Sequence, residues 1–548
     1  MRDLKVKEVF GKKVCWYFAA AFLMAVGRAG SLKFYESEKM LLPGIMDAVL
    51  FLARLLVYFV LFSGIFAAIE KFINSKRTFG VLFEKGDKPS GKWWGGYVIL
   101  AAGWLPALLI KYPAALCWDT WAMIKEYKVG YYSEHQSVYY SLVMRRLIAL
   151  GENVGHPSWG LFVFSVLHYL VLVAAMGYSL QILRKMNVSR AARLAAALLY
   201  LLNPYISGYV GVVIKDVPYT AFIVIVFLCL VDMYMDHEGF SRNPLKMGAL
   251  FISVINIYLI RKNGSYVMLA TLLLLLVRCF RKKISKKPAV LMLAAFIVSA
   301  ACFNGLGTYF HASKGSIREA LSLPFQQTAR CVKIYGEEVS DEEREAIDMV
   351  LPYDRLAGLY NPRISDPVKN EYKKDDSKLP AYFKAWFAGF LRHPLCYISA
   401  TWEQNYYLFI PEVDNIVLYQ DAETGYETTK VVYMPNYEHY YDMFSRNEKL
   451  SVLQQWIVKE FQLLHQIPLL GLLGNVSFWF YVFLFAVTVS LAYRADNLLL
   501  LALSFFTIVF VILGPAIQGH PRYMFPLIYP MPVLLLFLLY RLKNNSIG

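Results

Sequence analysis

The sequence predicts an all-α polytopic membrane protein with about twelve helical spans and an external domain that is mixed but mainly helical. Three observations carry this reading. Of the 548 residues, 57% are hydrophobic and only 18% charged, a balance rarely met in a water-soluble chain of this size. The apolar residues fall in runs long enough to cross about 30 Å of hydrocarbon. The basic residues cluster in short connectors between those runs, so the cytoplasmic bias of Lys and Arg accounts for the formal net charge of +16. A nucleic-acid partner is not expected, because its binding would need those cations along one amphipathic face. Helices rather than a barrel are expected, since each helical span satisfies its own backbone polar groups.

Taken in order, the expected spans are 14–30, 47–69, 93–111, 158–183, 190–206, 217–234, 246–261, 264–280, 288–308, 469–492, 496–514 and 524–541. Lys5, Lys7, Lys12 and Lys13 precede the first run, which lacks a small-residue cleavage site and reads as a retained span. Placing Lys71–Lys92, Arg184–Arg193, Arg278–Lys287 and Arg541–Lys543 in the cytoplasm fits the alternation and leaves both termini there. The chain then divides into a two-span N-terminal addition with its basic loop (1–92), a transmembrane core (93–308), an external domain (309–468) and C-terminal spans (469–548). Within the core, the first external loop (112–157) carries Trp118, Trp121, Met123, Ile124 and Tyr127 at helical spacing, which predicts a helix lying in the interface. In the external domain, Ser340-Asp341-Glu342-Glu343 predicts a capped helix start. The Tyr406–Tyr441 tract is rich in tyrosine, suited either to packing or to stacking on sugars. Seven scattered cysteines show no metal-ligand spacing, and Cys331 and Cys396 are not expected to pair.

Charged groups near a bilayer are costly, so the polar clusters that topology places on the outer side are the candidates for function. They are Trp118-Asp119-Thr120, Glu134-His135-Gln136, His156-Pro157, Lys215-Asp216, Arg261-Lys262 and Gly519-His520-Pro521-Arg522-Tyr523. Two cations in the tight outer hairpin Arg261-Lys262-Asn263-Gly264 run against the positive-inside bias and call for an anion. Arg grips a phosphate bidentately and Lys neutralises it as a point charge, so a lipid phosphate suits Lys215, Arg261, Lys262 and Arg522. Simple snorkelling to lipid headgroups is the alternative. Asp119 is placed to act as a general base, with helix capping as its alternative. Glu134 and His135 are expected to pair with each other or with water, and a metal role would need more ligands than the sequence shows. No GxSxG, P-loop, GxGxxG or HExxH pattern occurs where its mechanism would work.

Together, the long first external loop opening on Asp119, the Lys215-Asp216 pair, the outer cations, the late external domain and the terminal His-Pro-Arg-Tyr motif resemble the GT-C glycosyltransferase superfamily. Ser322-Leu323-Pro324-Phe325-Gln326-Gln327-Thr328-Ala329-Arg330 and Ser365-Asp366-Pro367-Val368-Lys369 resemble, more narrowly, a poorly characterised bacterial family of GT-C-like multispanning proteins. The resemblance covers about Lys111 to the C-terminus. It implies inverting transfer of a sugar from a polyprenyl-phosphate donor to an envelope polymer, lipid or protein outside the plasma membrane. Asp119 would be the base; Lys215, Arg261, Lys262, His520 and Arg522 would hold the donor phosphate. Glu134, His135, Asp216 and Tyr523 would support the site or the acceptor. Some relatives use a divalent cation, Mg or Mn, for which Asp119, Glu134, His135 and Asp216 are the available partners. A transporter or lipid flippase, and a non-catalytic envelope scaffold, are the rival readings, although the internal repeats and broken mid-bilayer helices of a transporter are not evident.

Overall fold

The computed structural model describes residues 2–37, 44–85, 91–281, 285–411, 438–444, 452–453, 463–464, 466–493, 498–514 and 517–545. Most of the tyrosine-rich tract, and the later part of the expected external domain, lie outside the described residues.

Each expected span has its helix. The first half of the chain supplies α1 (Arg2–Ser37), α2 (Ile45–Asn74) and α3 (Gly95–Ile110), then α4 (Trp118–Val129) and α5 (Val138–Val154) in the first long loop. The bundle continues with α6 (Pro157–Lys185), α7 (Arg190–Leu202), α8 (Asp216–Met235), α9 (Pro244–Ile260), α10 (Lys262–Phe280) and α11 (Lys287–Tyr309). The inserted domain contributes α12 (Ser322–Tyr335), α13 (Asp341–Asp348), α14 (Tyr353–Leu359), α15 (Leu379–Arg392) and α16 (Pro394–Asn405). The last bundle helices are α17 (Val476–Ala492), α18 (Leu498–Leu513) and α19 (Met531–Asn545).

Among the described residues, seven helices are long and apolar enough to cross a membrane, and four more apolar helices run 10–17 residues. The protein is thus an all-α polytopic membrane protein. The segment expected as the 190–206 span differs from the rest: α7 is only 13 residues, amphipathic, and stops at Asn203-Pro204. At 1.5 Å per residue it rises about 20 Å, short of the hydrocarbon thickness. Its polar residues and the proline explain the break.

α8 is the most enclosed span and the axis of the bundle. It packs on α6 and α9, with Val224, Phe227, Leu228 and Val231 fully buried. The first-loop helix α5 crosses α6 at Gly151 and Gly160, where a Cβ on Gly160 would sit 1.8 Å from the Leu147 carbonyl oxygen. Only glycine permits that approach, and it sets the loop helix down on the bundle.

The inserted domain has its own core, with Phe325, Ala329, Val350, Leu351, Leu356 and Tyr382 at its centre. Its capped helix forms as expected: Ser340 accepts from the Glu343 N–H, and the Glu343 carboxylate accepts from the Ser340 N–H. The domain is stitched to the first loop and the C-terminal segment rather than hung from a linker. Glu134 N–H donates to the Ser313 carbonyl at 3.0 Å, Ile364 bridges Ile517, and Gln518 N–H donates to the Arg363 carbonyl at 2.8 Å.

Candidate functional site

The site begins with a two-residue parallel ladder. β1 (Ala115–Leu116) pairs with β2 (Val212–Val213) in the register Ala115–Val212 and Leu116–Val213. These strands feed α4 and α8, so the ladder brings two helix N-termini side by side. Lys111, fully buried, fixes one flank by donating to the carbonyls of Gly208 at 2.5 Å and Val210 at 2.6 Å. Thr120 fixes the other by donating to the Val213 carbonyl. Asp119 is the second residue of α4 and Asp216 the first of α8, where the positive ends of the helices favour carboxylates.

Asp119 does not cap its helix. Position N-cap is Cys117, and no side chain caps there. The Asp119 carboxylate instead meets Arg522 Nη1 at 3.4 Å, and its side chain keeps 23% exposure. Burial pushes the carboxyl up, but Lys215, Arg522, His135 and Arg261 together outweigh it and hold the group well below the usual carboxylate range. The capping alternative therefore gives way to an ionised, partly accessible carboxylate within a field of cations.

Those cations come from separate parts of the chain. Lys215, 9% exposed, donates to the His135 carbonyl and to Gln136 Oε1, both at 3.2 Å. Arg261 ends α9 and lies 2.5 Å from Asp216 Oδ1, so the anion expected for the Arg261-Lys262 hairpin is in part the protein's own. The hairpin is tight because Gly264 sits against Ile257 and Tyr219, where a Cβ would be 2.5 Å from the Ile257 carbonyl oxygen. The rings of Tyr219 and Tyr523 flank the Arg261 guanidinium at 5.6 and 6.0 Å. Arg522 lies over Tyr523 at 5.4 Å, and buried His520 packs its ring against the same tyrosine.

Lys262 stands apart from this cluster. It is exposed and lines a cavity of about 450 Å³ with Glu134, Tyr258, Tyr266, Phe296 and Lys314. Glu134 also accepts from the Gly315 N–H, so it braces the seam between the first loop and the inserted domain. Burial and the Lys215 cation push the His135 imidazole below its ordinary value, toward the neutral form.

The inserted domain adds two groups absent from the sequence reading of the site. Lys369 is buried and pairs with Glu319 and Asp366, each at 2.7 Å, and its field reaches His135. The Ser365-to-Lys369 segment was a signal for Lys369; nothing in the local sequence marks Glu319.

A divalent cation does not fit this arrangement. Among the described residues no three His, Cys, Asp or Glu side chains converge as ligands. Asp119 and Asp216 each face an arginine, leaving little room for a second positive charge.

No curated protein matches the chain. Among solved structures it is similar to ArnT from Cupriavidus metallidurans, a crystal structure bound to undecaprenyl phosphate, at 12% identity and a TM-score of 0.28, over 83% of this chain and 77% of that one. An identity and a score this low establish neither a shared fold nor a shared activity. A family model, described as a family of unknown function (DUF6020), matches residues 127–546. The matched region holds His135, Lys215, Asp216, Arg261, Lys369 and Arg522 and begins just after Asp119. With more than half of its length matched, the chain belongs to that family of unknown function, DUF6020.

Proposed function

We propose that this protein is a GT-C-type glycosyltransferase that moves a sugar from a polyprenyl-phosphate donor to a cell-envelope acceptor on the outer face of the plasma membrane. The observation that carries the reading is the accessible Asp119 carboxylate set among Arg522, Lys215 and Arg261. Transfer from a lipid phosphate needs this combination: a base for the incoming hydroxyl and cations where the leaving group gathers charge.

In one displacement, Asp119 takes the proton of an acceptor hydroxyl while that oxygen attacks the anomeric carbon. The bond from that carbon to the phosphate oxygen breaks, its electron pair stays on the phosphate, and the configuration inverts. Arg522, Lys215 and Arg261 stabilise the departing phosphate, with His520 and Tyr523 shaping its surroundings. Without donor, the same cations keep Asp119 ionised but weakly basic. An arriving phosphate competes for their charge and raises the basicity of Asp119, which couples proton acceptance to an occupied donor site. The cavity at Lys262 and Lys314, with its aromatic floor, suits the lipid that carries the phosphate. Glu134 lines that same cavity, which leaves His135, beside Lys215, for the acceptor side.

The test is transfer of radiolabelled sugar from a panel of polyprenyl-phosphate sugars by protein reconstituted in lipid, with Asp119→Asn as comparison. A loss of about 100-fold or more in a folded variant is expected. A loss under about tenfold, roughly 1.4 kcal/mol of barrier, removes Asp119 as the base. A folded wild type that turns over no donor sinks the transferase reading and returns the transporter and scaffold to consideration.

A further inference from the structure

The inserted domain holds a chemical pair that the transfer reaction does not use. Cys331 on α12 and Cys396 on α16 are 65 residues apart in sequence, yet they pack into one buried cluster with Tyr397, at 4% and 0% exposure. Both are free thiols in the structure. Their helices are already aligned by three other cross-links. Gln327 donates to the Tyr397 carbonyl and to Thr401 Oγ1, and Arg330 pairs with Glu403. Neither cysteine belongs to a metal-ligand cluster among the described residues. The sequence offered no sign of this juxtaposition, and pairing was not expected from it.

We propose that Cys331 and Cys396 form a disulfide that staples α12 to α16 in the mature protein. The adjacency of the two thiols also favours loss of one proton. Cys396 favours the Cys331 thiolate, holding Cys331 below the ordinary thiol value, while Cys396 itself is pushed up. The Cys331 thiolate attacks the disulfide of an exchange partner, an oxidant in its disulfide form outside the cytoplasm, and releases one partner thiol. Cys396 then loses its proton and attacks the Cys331 sulfur of the mixed disulfide, expelling the second partner thiol. Two electrons pass to the partner, and both cysteine protons leave. Because the cluster is buried in the packed domain, exchange takes place during folding or through local opening of α12 from α16, which incubation with oxidised glutathione samples.

The staple has a structural reach. Cys331 adjoins Arg330, whose partner Glu403 lies two turns beyond Cys396 on α16. The Glu403 carbonyl accepts from Gln518 Nε2 at 2.5 Å, immediately before the segment that carries His520 and Arg522. The cross-link would thus hold the frame on which the terminal motif rests. The proposal needs the domain to lie outside the cytoplasm, where disulfides persist. It does not depend on sugar transfer.

The test uses the full chain in cells of its native envelope type. Cells are quenched in acid, the protein is unfolded and treated with N-ethylmaleimide, and peptides are mapped by mass spectrometry with and without reductant. Protein purified in detergent and incubated with oxidised glutathione is mapped in parallel. Expected are a Cys331–Cys396 linked peptide in both samples, its disappearance on reduction, and an alkylated Cys396 in Cys331→Ser. Both cysteines alkylated without reductant in the glutathione sample would overturn the pairing. Both alkylated in the cell sample alone would overturn its formation in place. Transferase activity is read in neither arm, so failure of that reading is seen separately.

Discussion

The two ends of α8 carry the same ingredients in different arrangements. At one end Asp216 meets Arg261, and Asp119 stands nearby with Lys215 and Arg522. At the other, Asp232 is held by the Tyr178 hydroxyl at 3.2 Å, by Lys246 at 2.5 Å and by Lys185. Both aspartates of α8 are 1% exposed. The Asp232 end closes on itself: three partners from α6 and α9 surround one carboxylate, clamping three helices together. The Asp119 end stays open, with an accessible carboxylate and a 3.4 Å contact to a cation that a ligand can recruit. Buried charge alone marks structure as readily as function; an accessible carboxylate beside surplus cations is what separates the two.

Substitution should break the two ends differently. Asp119→Asn is expected to cost about 100-fold or more in transfer while lowering the melting temperature less than the loss of the enclosed Asp232 charge does. Asp232→Asn should do the reverse. It is expected to lose up to about 3 kcal/mol of stability, at the low end for a broken buried pair because its lysines reach water, with unchanged turnover per folded molecule. Abolished turnover in well-folded Asp232→Asn protein would erase the distinction.

Arg522→Met sharpens the comparison through pH. The depressed acidity of Asp119 means that its carboxylate, and the stability it lends, persist above the ordinary carboxylate value near pH 4 and fade only as pH falls through the lower folded value. Removing Arg522 should lower transfer by roughly 100-fold and move the acid limb of the rate profile toward neutrality. An unmoved acid limb would show that Arg522 does not govern Asp119.

Lys369→Met should have a smaller effect on transfer, about three- to tenfold, because its field acts on His135 rather than on the leaving group. A rise in acceptor KM with kcat preserved would place it on the acceptor side. Smallest is Ser340→Ala, expected to cost about 1 kcal/mol in the stability of the inserted domain with transfer unaltered. Calorimetry and the transfer assay check the pair.

Much of the fold was legible because hydropathy and capping are local. Leu161–Leu183 and Leu498–Leu513 announce helices by apolar length, and Ser340-Asp341-Glu342-Glu343 announces a helix start by its own hydrogen bonds. The break at Asn203-Pro204 was also local, but the flanking apolar residues of α7 masked it within a window of span length. The site was legible only as an inventory. Asp119, Lys215, Arg261 and Arg522 stood out as costly charges near a bilayer, and the structure gathers them. Lys262 was grouped with them because it follows Arg261, yet at a helix start adjacent residues point apart, and it faces the cavity instead.

By itself, then, the sequence determined a helical membrane bundle, an inserted helical domain and the charged residues available to a site, since these follow from apolar length, charge placement and capping over a few turns. Tertiary structure alone decided that Asp119 meets Arg522 across 403 residues of chain, that Asp216 takes Arg261, that Lys369 comes to Glu319 and that Cys331 comes to Cys396. The physical reason is that a charge or a thiol has no partner preference encoded in its neighbours. Which opposite group it reaches depends on how the helices cross, and the crossings are set by packing at points such as Gly160 on Leu147, far from the groups they bring together.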